Sequence, residues 1–362
     1  MARWDSDLKN NKIQSAGKKE NKMSRDKNER YGLIGGNASP YSQKMRAAML
    51  YRRLPFDWIL RSEKNDYLLK DLRPVLVPVL RLPEDGSLHL DSTKLIYMLE
   101  ERHSERSLIP ENPAHAFLTH LIEDMADEWV TKMMFHYRWA YDPDIHYASY
   151  WIADDRSASA ADEARDKFAK MFATRQIGRM PLVGCTPENL PVIEEGYHFI
   201  IATIRDHVAS GGAVYLFGDR PSLAEFGLYG QLRTLSVDPT PQSIMRKEAQ
   251  RTESWLRQLD DASGVEGDWL EGDDLPAATK ALITYTADVY LPFLAANAKA
   301  TVAGEESFSI EIAGKSYSQG VFKYQVKCLN DLQARYASLS GSAKELVNGL
   351  IGEASVKILA SA

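Results

Sequence analysis

Ser39-Pro40-Tyr41-Ser42 is the stretch of this sequence best suited to chemistry. A serine ahead of a proline starts a helix: the serine side chain caps free backbone amides, and proline suits the first helical position. A hydroxyl held there can donate to an anion, and the amide dipoles of the helix start add a smaller push in the same direction. The plain alternative for Ser39 is an N-cap with no ligand. Three further places follow in the chain. Lys64 is an ordinary solvated lysine unless an anion lies near it. Val77-Pro78 interrupts the apolar run 75–80. Asp91-Ser92 is a helix start that also offers a carboxylate and a hydroxyl. The two cysteines, Cys185 and Cys328, have no second cysteine or histidine at metal-ligand spacing. No metal is therefore expected, and a reducing, cytoplasmic compartment is the default.

These residues need elements to position them. Residues 31–36 read as a short buried strand ending in glycines, and the helix opened by Ser39 has apolar positions at Met45, Ala48 and Met49. Leu54-Pro55 ends that helix, and residues 56–60 make a second strand. Strand–helix–strand implies a parallel pair with a right-handed crossover. An irregular charged stretch, 61–73, leads to the apolar run, where a proline removes a ladder donor and a cis Val77–Pro78 bond is one way to seat it. Glu84-Asp85-Gly86 forms a turn and residues 88–90 a short antiparallel strand. An amphipathic helix then runs through Leu95, Ile96 and Leu99.

The order βαβ, connector, ββα, with a capped first helix and a Val-Pro before the third strand, resembles the glutathione-binding domain of the cytosolic glutathione transferases. Ser39-Pro40-Tyr41-Ser42 is similar to the Cys-Pro-Tyr-Cys of glutaredoxins with both sulfurs replaced by oxygen. The resemblance implies an α/β thioredoxin-like domain with a mixed four-stranded sheet, followed by a larger all-α domain, and a homodimer. It implies glutathione as co-substrate: Ser39 stabilising its thiolate, the Val77 and Pro78 backbone pairing with its cysteinyl part, Asp91 and Ser92 holding its γ-glutamyl group, and Lys64 near its glycyl carboxylate. A free thiol has a pKa near ~8.5. One hydroxyl donated to the thiolate, worth roughly 1.5–3 kcal/mol, lowers that by roughly one to two units. Thiol–disulfide exchange needs an enzyme thiolate, so two serines exclude glutaredoxin chemistry at this site.

From Pro113 the pattern turns to helical periodicity through Phe117, Leu118, Leu121, Ile122, Met125 and Trp129. In the family, the aromatic-rich stretch that follows lines the electrophile pocket, so Tyr41, Met133, His136, Tyr137 and Trp139 are the pocket candidates implied. An aromatic-rich helix is equally plain core. Residues 182–190 read as a loop and 192–208 as a helix. Ser222 and Glu225 form a capping box at the start of a buried helix. Beyond the usual family length, residues 263–362 read as a helix at 276–300, a hairpin near 308–314, a helix at 319–339 and a last helix capped by Ser342 and Glu345. The organisation expected is a leader at 1–29, a glutathione-binding domain at 30–107, a helical domain at 108–262, and an extension at 263–362 packed on the helical domain.

Residues 1–30 hold nine Lys/Arg and five Asp/Glu, so a chain of formal charge −6 carries −10 over the rest. Such an acidic body argues against sequence-independent nucleic-acid binding. No apolar run approaches the roughly 18 residues that would span a bilayer, so no membrane is expected. The leader lacks apolar periodicity and reads as a flexible tail, or as a start-site artefact with Met23 as the natural start. The function expected is attack of the glutathione thiolate on a hydrophobic electrophile, as in detoxification. The alternatives are a non-catalytic binding protein of the same fold, or a specialised dehalogenase, lyase or isomerase.

Overall fold

The computed structural model describes residues 30–361, and the expected tail at 1–29 lies outside the described residues. The first domain is built from β1 (Tyr31–Gly35), α1 (Pro40–Tyr51), β2 (Phe56–Leu60), β3 (Val79–Arg81), β4 (Leu88–Leu90) and α2 (Ser92–Arg102). The sheet order is β2-β1-β3-β4, with β1 and β2 parallel and the other two pairings antiparallel. The sheet is thus the mixed, thioredoxin-like one expected. Its register decides where chemistry can collect. Ile34, Val79 and Leu90 stand in one row across three strands, and Gly35 faces Leu60. The segments after β1, after β2, before β3 and after β4 therefore all open at the same end of the sheet. The charged stretch after β2 is less irregular than its composition implies, since Glu63–Leu69 winds as a 3-10 helix.

A larger helical part follows: α3 (Pro113–Met125), α4 (Thr131–Ala140), α5 (Asp142–Arg156), α6 (Asp162–Ile177), α7 (Leu190–Ala209), α8 (Leu223–Leu235), α9 (Pro239–Glu248) and α10 (Gln250–Leu259). Asn112 starts α3 by accepting from the Ala114 amide at 2.9 Å. A single π turn, Ala126–Val130, joins α3 to α4. The capping box at α8 is formed in full: the Glu225 carboxylate accepts from the Ser222 amide at 2.8 Å and the Ser222 hydroxyl accepts from Ala224. Helix α8 lies directly on α1. A β-carbon added at Gly230 would sit 2.7 Å from the Pro40 carbonyl oxygen, so only glycine permits this approach beside Ser39.

Residues beyond α10 form α11 (Ala277–Tyr285), α12 (Leu291–Ala303), β5 (Ser307–Ile312), β6 (Lys315–Gly320), α13 (Lys323–Ser338) and α14 (Gly341–Ala360). Three sequence expectations are corrected here. The helix placed at 276–300 is interrupted by a second π turn, Thr286–Tyr290. The start of the helix placed at 319–339 belongs instead to β6, whose Ser318 and Gln319 pair with Ser309 and Phe308. The last helix begins after Ser340, which makes no side-chain cap bond, and it bends at Gly352 with φ 76°. Helices α5 and α6 had drawn no expectation at all.

The extension lies against α3. His120 of α3 meets Asp331 of α13 at 2.9 Å and Asp124 of α3 accepts from the Tyr290 hydroxyl at 2.7 Å, while within the extension Ser355 of α14 donates to the Ala287 carbonyl at 2.9 Å. One apolar core runs through all of this, from Leu33 and Met45 in the first domain to Ile351 and Leu359 in α14. Among the described residues no helix is long and apolar enough to cross a membrane.

Candidate active site

Ser39 occupies the N-cap of α1 with extended backbone, and its oxygen accepts from the Ser42 amide at 3.3 Å. The segment that carries it is held from the helical part. Asp155 of α5 accepts from the Asn37 amide at 3.1 Å and from its side-chain amide at 2.9 Å. Arg138 of α4 donates to the Ala38 carbonyl at 2.7 Å while forking onto Asp238, with 2.8 Å and 3.3 Å contacts. Both partners of that ion pair are buried. A buried, two-pronged pair of this kind fixes geometry even where its net contribution to stability is small.

The other hydroxyls of the motif are already engaged. Ser42 is buried and accepts from the Gly36 amide at 3.3 Å. Tyr41 donates to the Asp127 carbonyl at 3.0 Å, and burial, then Glu128 and Asp127, pushes its phenol well above the ordinary tyrosine range. Ser39 and Ser42 each accept a bond and donate none among the described residues, and of the two only Ser39 lines the cavity. The cysteines supply no thiolate either. Both are buried, and burial pushes the Cys185 thiol up to about 12 and the Cys328 thiol higher still.

A cavity of about 750 Å³ opens at this end of the sheet. Of the residues singled out by sequence, Ser39, Tyr41, Val77 and Trp139 line it. Val77–Pro78 is a cis peptide, and Asp91 sits at the same sheet end with a left-handed φ of 79°. Backbone strain at a non-glycine residue is the kind found at ligand sites. Asp91 makes no cap bond to α2; its carboxylate accepts from Tyr324 at 3.3 Å. Ser92 is buried, Lys64 is exposed on the 3-10 turn, and neither they nor Pro78 and Asp91 are part of the cavity wall.

Three pocket candidates are displaced. Met133, His136 and Tyr137 are fully buried on the core side of α4, and His136 bonds to Glu194 at 2.8 Å. The face of α4 that meets the cavity is Thr131, Lys132, Met134, Phe135, Arg138 and Trp139. The physical reason is simple. The apolar stripe Leu118, Leu121, Met125, Trp129 continues through Met133 to Tyr137, and a stripe that long is the core seam. The missed wall comes from α5 and α6, through Ile152, Phe168, Met171 and Phe172, and from Arg61, Arg156, Arg175 and Arg179. The steps of three and four from Phe168 through Phe172 to Arg175 and Arg179 were the available signal.

A run of acids lies on α3 and the π turn, of which Glu128 alone lines the cavity. Lys44 of α1, fully buried, reaches Glu123 and also Asp127 at 2.6 Å. Burial alone would lower its ammonium, but Asp127 and Glu123 hold it above its ordinary value. Burial lifts the Asp124 carboxyl to about 6 and the Asp127 carboxyl to about 7. Burial, then Asp124 and Asp127, lifts Glu128, at the cavity wall, to about 8. Lys132 is buried without a carboxylate, donating to the Val183 carbonyl at 3.0 Å and to Gln319 at 2.6 Å, and burial lowers its amine to about 8. No group of three or more metal-ligating side chains occurs among the described residues.

These raised carboxyls fix the sign of a pH effect. The folded chain keeps protons that unfolded carboxyls, titrating near ~4, have already lost. Stability contributed by these protons is present at about pH 4 and disappears as pH rises toward 8. Glu128→Gln should therefore give a melting temperature that declines less steeply than wild type between pH 5 and 8, measured by scanning calorimetry. Parallel profiles would mean that Glu128 is ionised in the fold.

Residues 33–107 match the family model for the glutathione S-transferase N-terminal domain. A curated relative, glutathione S-transferase U6 of Arabidopsis thaliana, is 23% identical over 110 residues, covering 30% of this chain and 49% of the relative. The chain thus spans about half the length of the curated relative it matches. Similar solved structures include a glutathione S-transferase from Methylobacterium radiotolerans in complex with glutathione sulfonate, at 20% identity and a TM-score of 0.39, covering 67% of this chain and 97% of that one. Another is the beta-etherase LigF from Sphingobium sp. strain SYK-6, at 16% identity and a TM-score of 0.45, covering 70% and 98%.

Proposed function

We propose that this chain, a member of the glutathione transferase superfamily by its first domain, binds glutathione at the open end of the sheet and turns its thiolate on an electrophile in the adjoining cavity. The free hydroxyl of Ser39 carries this reading. Of the motif's hydroxyls on the cavity wall, Tyr41 already donates to the Asp127 carbonyl while Ser39 donates to nothing among the described residues; Ser39 caps α1 and faces a cavity with a largely apolar wall. In this reading the hydroxyl and the first amides of α1 lower the thiol pKa. The Val77 backbone beside the cavity aligns the cysteinyl segment, and the γ-glutamyl group lies against Asp91 and Ser92. Met134, Phe135, Trp139, Phe168 and Phe172 hold the electrophile out of water. Asp155 and Arg138 act through the segment 37–39, keeping Ser39 in position.

Titration calorimetry of the full chain with glutathione tests the reading, followed by turnover with a panel of electrophiles. Binding in the micromolar to millimolar range, with conjugation of at least one electrophile above the uncatalysed rate, is the expected result. Absence of glutathione binding would overturn it.

A further inference from the structure

The cavity carries a charge at odds with the body around it. The chain beyond residue 30 is strongly acidic, yet Arg61, Arg156, Arg175 and Arg179 all line this one cavity. The carboxylates on the same wall do not answer them. Neither Asp155, which is bonded to Asn37, nor Glu128, which burial lifts to about 8, forms an ion pair among the described residues. Among the described residues, of the four arginines only Arg156 has a carboxylate partner, Asp66, with a 2.6 Å contact across from α5 to the turn after β2. Arg61 is half-buried, and its guanidinium finds only the Val75 carbonyl, at 3.5 Å. Arg175 and Arg179 make no ion pair among the described residues. Arg175 lies 5.2 Å from the Phe172 ring, and Arg179 reaches the Gln176 side chain at 3.5 Å.

These cations also sense one another. Burial, then Arg156 and Arg175, pushes the Arg61 guanidinium below its ordinary value, with Asp66 opposing. Holding Arg61 half out of water beside two like charges opposes folding unless an anion joins them. Next to them the wall is apolar and open. Met171, 51% exposed, is in line with Phe168 and Phe172 along one face of α6, and Leu182, past the end of that helix, is 66% exposed. One helix face therefore passes from an apolar patch to a cationic one.

We propose that the second substrate is an organic anion, an electrophile whose apolar body lies on Phe168, Met171 and Phe172 and whose carboxylate or sulfonate is gripped by Arg175 and Arg179, with Arg61 adding to the field. This rests on the glutathione-dependent reading above and names the substrate class for it. The planar fork of arginine matches a planar oxyanion. A basic recess in an acidic protein also draws anions to itself from solution.

The test uses two fluorescent probes with one aromatic frame, 8-anilinonaphthalene-1-sulfonate and the uncharged N-phenyl-1-naphthylamine. Each is titrated without glutathione into the wild-type chain and into Arg175→Gln/Arg179→Gln, whose altered positions are exposed. The sulfonate should bind about tenfold more weakly to the double variant, the weight of about one charged hydrogen bond, and more weakly to wild type as salt rises. The uncharged probe should shift less than twofold. In turnover, the ratio of kcat/KM for 4-chloro-3-nitrobenzoate to that for uncharged 1-chloro-2,4-dinitrobenzene should drop about tenfold in the variant. Equal shifts for both probes, or none, would overturn the proposal. So would a tenfold loss of glutathione affinity with sulfonate binding intact, because the arginines would then serve the tripeptide. The probe titrations need no glutathione, so they stand or fall separately from the catalytic reading.

Discussion

Ser39→Ala should raise the pKa of the bound glutathione thiol by roughly one to two units, the worth of one charge-assisted hydrogen bond. Conjugation near neutral pH should fall about ten- to hundredfold, with much of the loss recovered in alkali, where the thiol ionises unaided. Glutathione affinity should stay within a few-fold, since the backbone contacts at Val77 remain. The structure sharpens this expectation. Ser39 accepts from the Ser42 amide, while the Tyr41 hydroxyl donates to the Asp127 carbonyl and Ser42 is buried away from the cavity wall, so neither is placed to take over. The variant also loses a helix cap, so stability should drop by about 1 kcal/mol. Thiolate absorbance against pH, alongside the rate profile, separates the two effects. If wild type and variant give the same thiol pKa, Ser39 is a cap and nothing more.

Lys44→Met should be the most destabilising single change near the site, by about 3–5 kcal/mol. Lys44 lies wholly inside, one turn after Pro40, and neutralises Glu123 and Asp127 where α1 meets α3. Removing it leaves two buried carboxyls with one fewer cation, and Thr93, which donates to Glu123 at 2.6 Å, cannot balance the charge. The denaturant midpoint measures the loss. Lys44→Met/Glu123→Gln/Asp127→Asn, which removes the charges together, should recover part of it. A single variant within about 1 kcal/mol of wild type would show that the carboxyls protonate at little cost and that Lys44 is no strut.

The first domain was legible because its rules are local. A capped helix start, a proline within an apolar run, and glycines at a strand end each have one ready physical meaning, and the strand register brings them together. The cavity was legible only at that end. Helices α5 and α6 escaped because a helix announces itself by a stripe aimed at a core, and few of their residues are buried. Their large apolar residues, Ile152, Phe168 and Phe172, face a cavity instead. On α4 the cause was the opposite, for the large side chains that stood out, Met133, His136 and Tyr137, continue the core seam. Arg61 and Arg156 sit on separate elements 95 positions apart, and nothing short of the fold shows that they meet.

The cavity wall is also contributed to by Gln319, Phe322 and Gln325, from β6 and α13, while Ser39 belongs to the first helix of the described chain. At roughly 5–20 residues per second of synthesis, Gln319 leaves the ribosome some 15–55 s after Ser39. During that interval the sheet and α1 can form with the recess beside Ser39 still open to water on its far side. The nascent chain thus passes through a stage in which its apolar lining is on display, and closure waits on β6 and α13.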